Sequence, residues 1–83
     1  MFTNKVEVFV RLMDEGITTF RPTEALIVGE NEYKLLPSKN YDPSDEVWEF
    51  FPGTIVNCKK IQIEGVFRLI AIKEARRRFR DWT

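Results

Sequence analysis

The sequence predicts a mainly-β domain: one twisted sheet of five or six short antiparallel strands, curled into a small, partly open barrel. Three observations carry this expectation. Apolar and polar residues alternate with period two in several short runs, as in "KVEVFVRLM". Turn residues punctuate those runs at fairly even spacing. The chain is also short, at 83 residues, yet holds seven Phe and two Trp, large pieces from which a small core can be built.

The elements follow in order. Val6, Val8, Val10 and Leu12 fall on one face of the first strand, with Lys5, Glu7, Phe9 and Arg11 on the other. "DEG" turns the chain, with Gly16 expected to supply the free backbone angle. "ITTFR" pairs back as a hairpin. Pro22 cannot donate to a ladder, so it is read as an edge, a bulge or a bend before "TEALIV" resumes. "GENE" is a turn and "YKLLP" a third strand. Within the polar loop "SKNYDPSDE", Asp42 followed by Pro43 is a helix-start signal, expected to give one helical turn. "VWEFF" is a strand, broken by Pro52-Gly53. "TIVNCKKIQI" is the next strand, with a change of phase near Lys59-Lys60 that suggests a bulge. Glu64-Gly65 turns the chain into "VFRLIAIK", the last strand. The expected interior is Val6, Val8, Val10, Ile27, Leu35, Trp48, Phe50, Val56 and Leu69.

The architecture nearest this pattern is a Src-homology-3-like barrel over residues 1–73, with an oligonucleotide-binding-type barrel or an α+β fold as the alternative. Residues 74–83, "EARRRFRDWT", are expected to form a short amphipathic helix. Ala75, Phe79 and Trp82 make its apolar stripe, which would dock on the barrel because so short a helix is unstable without packing.

Composition narrows the function classes. There is no His, so the commonest general base and metal ligand is missing. The four glycines are scattered and form no phosphate-cradling loop. Asp42, Asp45 and Glu46 match no calcium-loop spacing. No catalytic, metal or cofactor site is therefore expected, and an enzyme is not. Cys58 stands alone and reads as a small buried hydrophobe. Lys5, Glu7 and Arg11 interrupt the first apolar run, so no signal-peptide core is expected. A cytoplasmic setting is the default expectation. Net charge is zero, but residues 1–58 hold 5 basic and 10 acidic side chains and residues 59–83 hold 8 and 3. The body is thus acidic, at −5, and the end basic, at +5.

"VRLMDEG", then "FRPTEA", then "DPSDEVWEFFPGTIVNC" together resemble a group of short uncharacterised bacterial proteins with a Val-Arg-Leu-x-Asp-Glu-Gly, Arg-Pro, Trp-Glu-Phe-x-Pro-Gly-x-x-Val-x-Cys pattern. The likeness spans about residues 6–71. It implies a small β-rich bacterial domain and carries no assigned activity, no catalytic residue and no account of the arginine-rich end.

Two surfaces are candidates for function. The first is aromatic and acidic: Tyr41, Asp42, Glu46, Glu49 and Phe51, a grouping suited to a proline-rich or basic segment of another protein. The second is basic: Lys59, Lys60, Arg76, Arg77, Arg78 and Arg80, candidate contacts for an anion or nucleic acid. The first suggests a protein-interaction module such as an adaptor, inhibitor or immunity-type partner, with a homodimer also open. The second suggests a nucleic-acid-binding barrel. The zero net charge and the acidic body weigh against the second, and weak or no nucleic-acid binding is expected at physiological salt. No membrane partner is expected.

Overall fold

A computed structural model gives the fold, and residues 4–75 are the ones it describes. Six strands follow one another: β1 (Lys5–Met13), β2 (Thr19–Gly29), β3 (Glu32–Leu35), β4 (Val47–Trp48), β5 (Ile55–Ile63) and β6 (Val66–Glu74). The mainly-β expectation holds. Five strands form a ring in the order β1, β2, β3, β5, β6, with β6 returning to β1. Each of the first four steps is antiparallel. Four reversals restore the starting direction, so the closing pair must be parallel. It is, through Phe9 opposite Ile70. A parallel closure of this kind is thin, which leaves the barrel partly open. Once β4 is set aside, neighbours in the ring are successive in the chain, a meander without a Greek-key crossover. β4 pairs with Leu12 and Met13 of β1. Leu12 also faces Thr19 of β2, so β4 occupies the opposite edge of β1.

The inner face is the one the valine alternation marks. Val8, Val10, Leu12, Ala25, Leu35, Trp48, Val56, Cys58 and Ala71 form one buried cluster, with Val6, Tyr33, Tyr41, Phe50 and Leu69 packed at its margin. Ile27 does not join it, contrary to expectation, and is 42% exposed. In β2 the inward positions are Thr23 and Ala25, and Ile27 overhangs where β2 runs into a register shift against β3. Phe50 is marginal because "VWEFF" is a strand only at Val47 and Trp48. The bend at Glu49 and Phe50 ends the alternation.

Pro22 lies inside an unbroken β2, opposite Phe9. The Ile27 amide donates to Asn4 of the β1 side at 2.8 Å, so odd residues of β2 aim their amides at β1. Pro22, an even position, faces the β3 side. There β3 has already ended, with the Leu36 amide donating to Glu24. The missing donor is at a place where no ladder needs it.

The turns show what each loop demands. The positive φ after β1 belongs to Asp14 (64°), and Gly16 has none. Pro52 and Gly53 are the central pair of a turn closed by the Thr54 amide donating to the Phe51 carbonyl at 3.1 Å, and Gly53 has φ 94°. That conformation suits Gly at the third position and Pro at the second. Glu64 and Gly65 (φ 52° and 84°) join β5 to β6 with both residues left-handed, the type I′ hairpin signature. The irregularity in β5 is earlier than Lys59-Lys60. Register shifts at Asn57 and Cys58, where Cys58 faces Ala71 and Asn57 faces Lys73. The extra residue is Ile72 of β6, so the strand that bulges is the partner.

The helical end is not seen among the described residues. Glu74 still belongs to β6, and buried Ala75 donates its amide to Ile55 at 2.8 Å. The rest of the predicted helix, with Phe79 and Trp82, lies outside the described residues.

Candidate functional site

The loop from Pro37 to Glu46 is built around Asp42. Its carboxylate accepts from the Ser44 amide at 2.9 Å and the Ser44 hydroxyl at 2.7 Å. Its carbonyl accepts from the amides of Asp45 and Glu46. This is the single capped turn that Asp42-Pro43 predicts. The two Ser44 bonds favour the ionised form and hold the Asp42 carboxyl below its ordinary value.

The turn delivers Glu46 and Trp48 to the ring. Trp48 is the largest fully buried side chain among the described residues. Its indole nitrogen donates to Glu46 Oε1 at 2.9 Å, and Arg21 Nη2 reaches the other carboxylate oxygen. The indole bond first, then Arg21, hold the Glu46 carboxyl below its ordinary value against a desolvation that works the other way. Tyr41 stands edge-on to Trp48, with ring centres 4.8 Å apart and planes at 69°. Tyr41 and Glu46, two of the five predicted contact residues, are thereby half-buried parts of the scaffold.

The remaining three face solvent. Asp42 is exposed, though spent on its own turn. Glu49 is exposed, and its amide donates to the Arg11 carbonyl at 2.9 Å, extending the β1–β4 ladder by one step. Phe51 is 57% exposed. The structure adds what sequence reasoning missed. Met13 and Val47 are opposite each other on β1 and β4, and both are exposed on the outer face while Leu12 and Trp48 fill the inner one. By alternation Arg11 and Glu49 share that outer face. Ile17 in the preceding loop is 79% exposed. The available signal was the pairing of a second strand with the outer half of "RLM", which only tertiary contact reveals.

The basic candidates do not combine. Lys59 and Lys60 are both exposed, but as successive strand residues they leave opposite faces of β5. Arg76, Arg77, Arg78 and Arg80 lie outside the described residues. Arg68 is the cation that sequence reasoning passed over. It stands 5.1 Å over the Phe9 ring and 3.7 Å from Glu7, joining β6 to the outer face of β1. Phe9, out of phase with the valine stripe, was the signal.

Shallow clefts flank Pro22. One, of about 350 Å³, is lined by Arg21, Pro22, Ser38, Lys39, Asn40 and Glu46. Arg21 Nη2 pairs with Glu46 there, while Arg21 Nε is buried without a hydrogen-bond partner among the described residues. Cys58 is buried, and desolvation pushes its thiol up to about 11. It stays protonated near neutral pH and is a poor nucleophile. No protein-family model, curated protein or solved structure matches the chain.

Proposed function

We propose that this chain is a small, non-catalytic protein-interaction module, its five-strand ring of the Src-homology-3-like kind. The observation that supports the reading is the outer face of the β1–β4 ladder. Met13 and Val47 are exposed side by side, Glu49 follows on the same face, and exposed Phe51 comes two residues later. An apolar strip edged by the opposed Arg11 and Glu49 suits an apolar partner segment with a few polar contacts, such as a proline-rich peptide of an adaptor, an inhibitor target or a cognate toxin. Protein partners fit this surface better than nucleic acid, because Lys59 and Lys60 diverge and the body is acidic.

The test is site-specific photocrosslinking with a benzophenone side chain at position 51 in the source cell, compared with position 39. Crosslinks to one protein, lost in a Val47→Lys variant that keeps its thermal midpoint, support the reading. Labelling of nucleic acid from either position, or protein crosslinks indifferent to Val47→Lys, refutes it.

A further inference from the structure

β5 has nine residues, yet β3 pairs with only its first two, through Lys34 opposite Ile55 and Tyr33 opposite Val56. Asn31 extends the cover by two more. Its carbonyl accepts from Asn57 Nδ2 at 2.7 Å and its side-chain oxygen from the Cys58 amide at 3.0 Å. Beyond Cys58, no described strand lies along this edge, and Lys59, Lys60, Ile61 and Gln62 are exposed.

The direction of the free backbone groups follows from bonds already named. Ile55 accepts from Ala75 on the β6 side, and Cys58 donates to Asn31 on the β3 side. Odd residues of β5 therefore serve the ladder with β6, and even ones face outward. The bulge does not upset this count, because its extra residue is in β6. Lys60 and Gln62 thus present their amides and carbonyls to the open edge, a template for another strand.

We propose that this edge pairs antiparallel with the same edge of a second copy, about a twofold axis through Gln62. The charges select that register. Same-face pairing requires that residue numbers facing each other differ by an even count. Centred on Lys60, the two lysines oppose each other. Centred on Ile61, Lys60 meets Gln62 and Lys59 meets Ile63, and no charge is matched. Centred on Gln62, Lys60 comes beside Glu64 of the left-handed turn twice over, which brings opposite charges together at both ends of the ladder, and Ile61 meets Ile63 twice over. Gln62 meets itself and exchanges both backbone bonds. Ile61 (38% exposed) and Val66 (48% exposed) gain cover they lack in one copy. The edge lysine, which commonly blocks strand pairing, here forbids one register and rewards another. The surface is separate from the one on β4, so this proposal stands independently of the module reading.

Sedimentation equilibrium of the full chain, from about 10 µM to about 1 mM, tests it. The weight-average mass is expected to rise toward the dimer with concentration. Lys60→Glu turns two attractions into two repulsions and should raise the dissociation constant about tenfold, equivalent to about 1.4 kcal/mol. The swap Lys60→Glu with Glu64→Lys should restore it to within about threefold of the parent, since the pairs re-form with reversed polarity. Gln62→Pro removes an outward amide that the β6 ladder does not use, and should give a monomer whose circular dichroism is unchanged. A parent that stays monomeric at about 1 mM overturns the proposal. So does a dimer that Lys60→Glu leaves intact, or one that the charge swap fails to restore while the variant remains folded.

Discussion

Replacing Trp48 by Phe separates packing from hydrogen bonding at the centre of the fold. Trp48 is 1% exposed, and its indole nitrogen donates to Glu46 at 2.9 Å. Phe keeps a ring beside Tyr41 but loses the donor and part of the volume. A hydrogen bond to a charged group is worth about 1.5–3 kcal/mol. The Glu46 side chain is 20% exposed and keeps Arg21, so water recovers part of that, leaving roughly 1–2 kcal/mol. The smaller ring adds about 1 kcal/mol of lost packing. The expected total near pH 7 is about 2–3 kcal/mol, a large share of what so short a domain has. The sign of its pH dependence follows from Glu46. Its folded value is depressed, so the stability it contributes is present above the unfolded value and is lost as pH falls through the folded one. The deficit of the variant should therefore be smaller at an acidic pH below the ordinary carboxylate value than at pH 7, narrowing toward the packing part of about 1 kcal/mol as the folded carboxyl is protonated. Urea unfolding followed by far-UV circular dichroism at both pH values measures it. A deficit of equal size at the two pH values would refute the role given to the carboxylate.

Three further outcomes follow from single contacts. Cys58→Val should remove an alkaline weakness: the thiol sits at about 11 against an ordinary 9.0, so its contribution is present below 9.0 and is lost as pH rises toward 11. Between pH 8 and 10 the parent should lose about 1 kcal/mol more than the variant in urea titrations. Gly53→Ala meets no atom within 4 Å, so its cost is the strain of φ 94° alone, about 1–2 kcal/mol, and a thermal melt showing no loss would disprove that. Thr23→Val leaves the Leu36 carbonyl without the hydroxyl that donates to it at 2.6 Å, and should cost about 1–2 kcal/mol, read from the same melts.

What the sequence made legible was local. The valine stripe of β1, the Asp42 cap, the Pro52-Gly53 turn and the Glu64-Gly65 hairpin each follow from a few adjacent residues, and each is where it was expected. The differences lie where a segment's role is set by residues it meets in the fold or by the exact path of a turn. Gly16 is the natural bearer of the free backbone angle because Gly adopts it at no steric cost, but the turn places that angle two residues earlier, at Asp14. The change of phase near Lys59-Lys60 points to a bulge in β5, whereas the inserted residue, Ile72, is in the strand opposite. Glu46 and Tyr41 read as contact residues because an aromatic shelf edged by carboxylates suits a proline-rich or basic segment. Only their neighbours, Trp48 and Arg21, show that they brace the interior.

Ile27 and the exposed ends of β5 and β6 share one physical cause. A ring of five strands has an interior a few residues deep, while β1, β2, β5 and β6 each run nine to eleven residues. Strands that long overhang the ring, and beyond its rim an inward position faces no opposite wall. Period two then marks a face but no longer marks burial. Ile27 sits at the end of β2 (42% exposed), and Phe67 at the start of β6 (64%). Overhanging backbone also outlasts its ladder, as β5 does past Cys58. Apolar side chains and unpaired edges thus accumulate at the ends of the ring, the places where a partner chain can complete what the small interior leaves unfinished. The proposed surface on β5 lies on such an overhang.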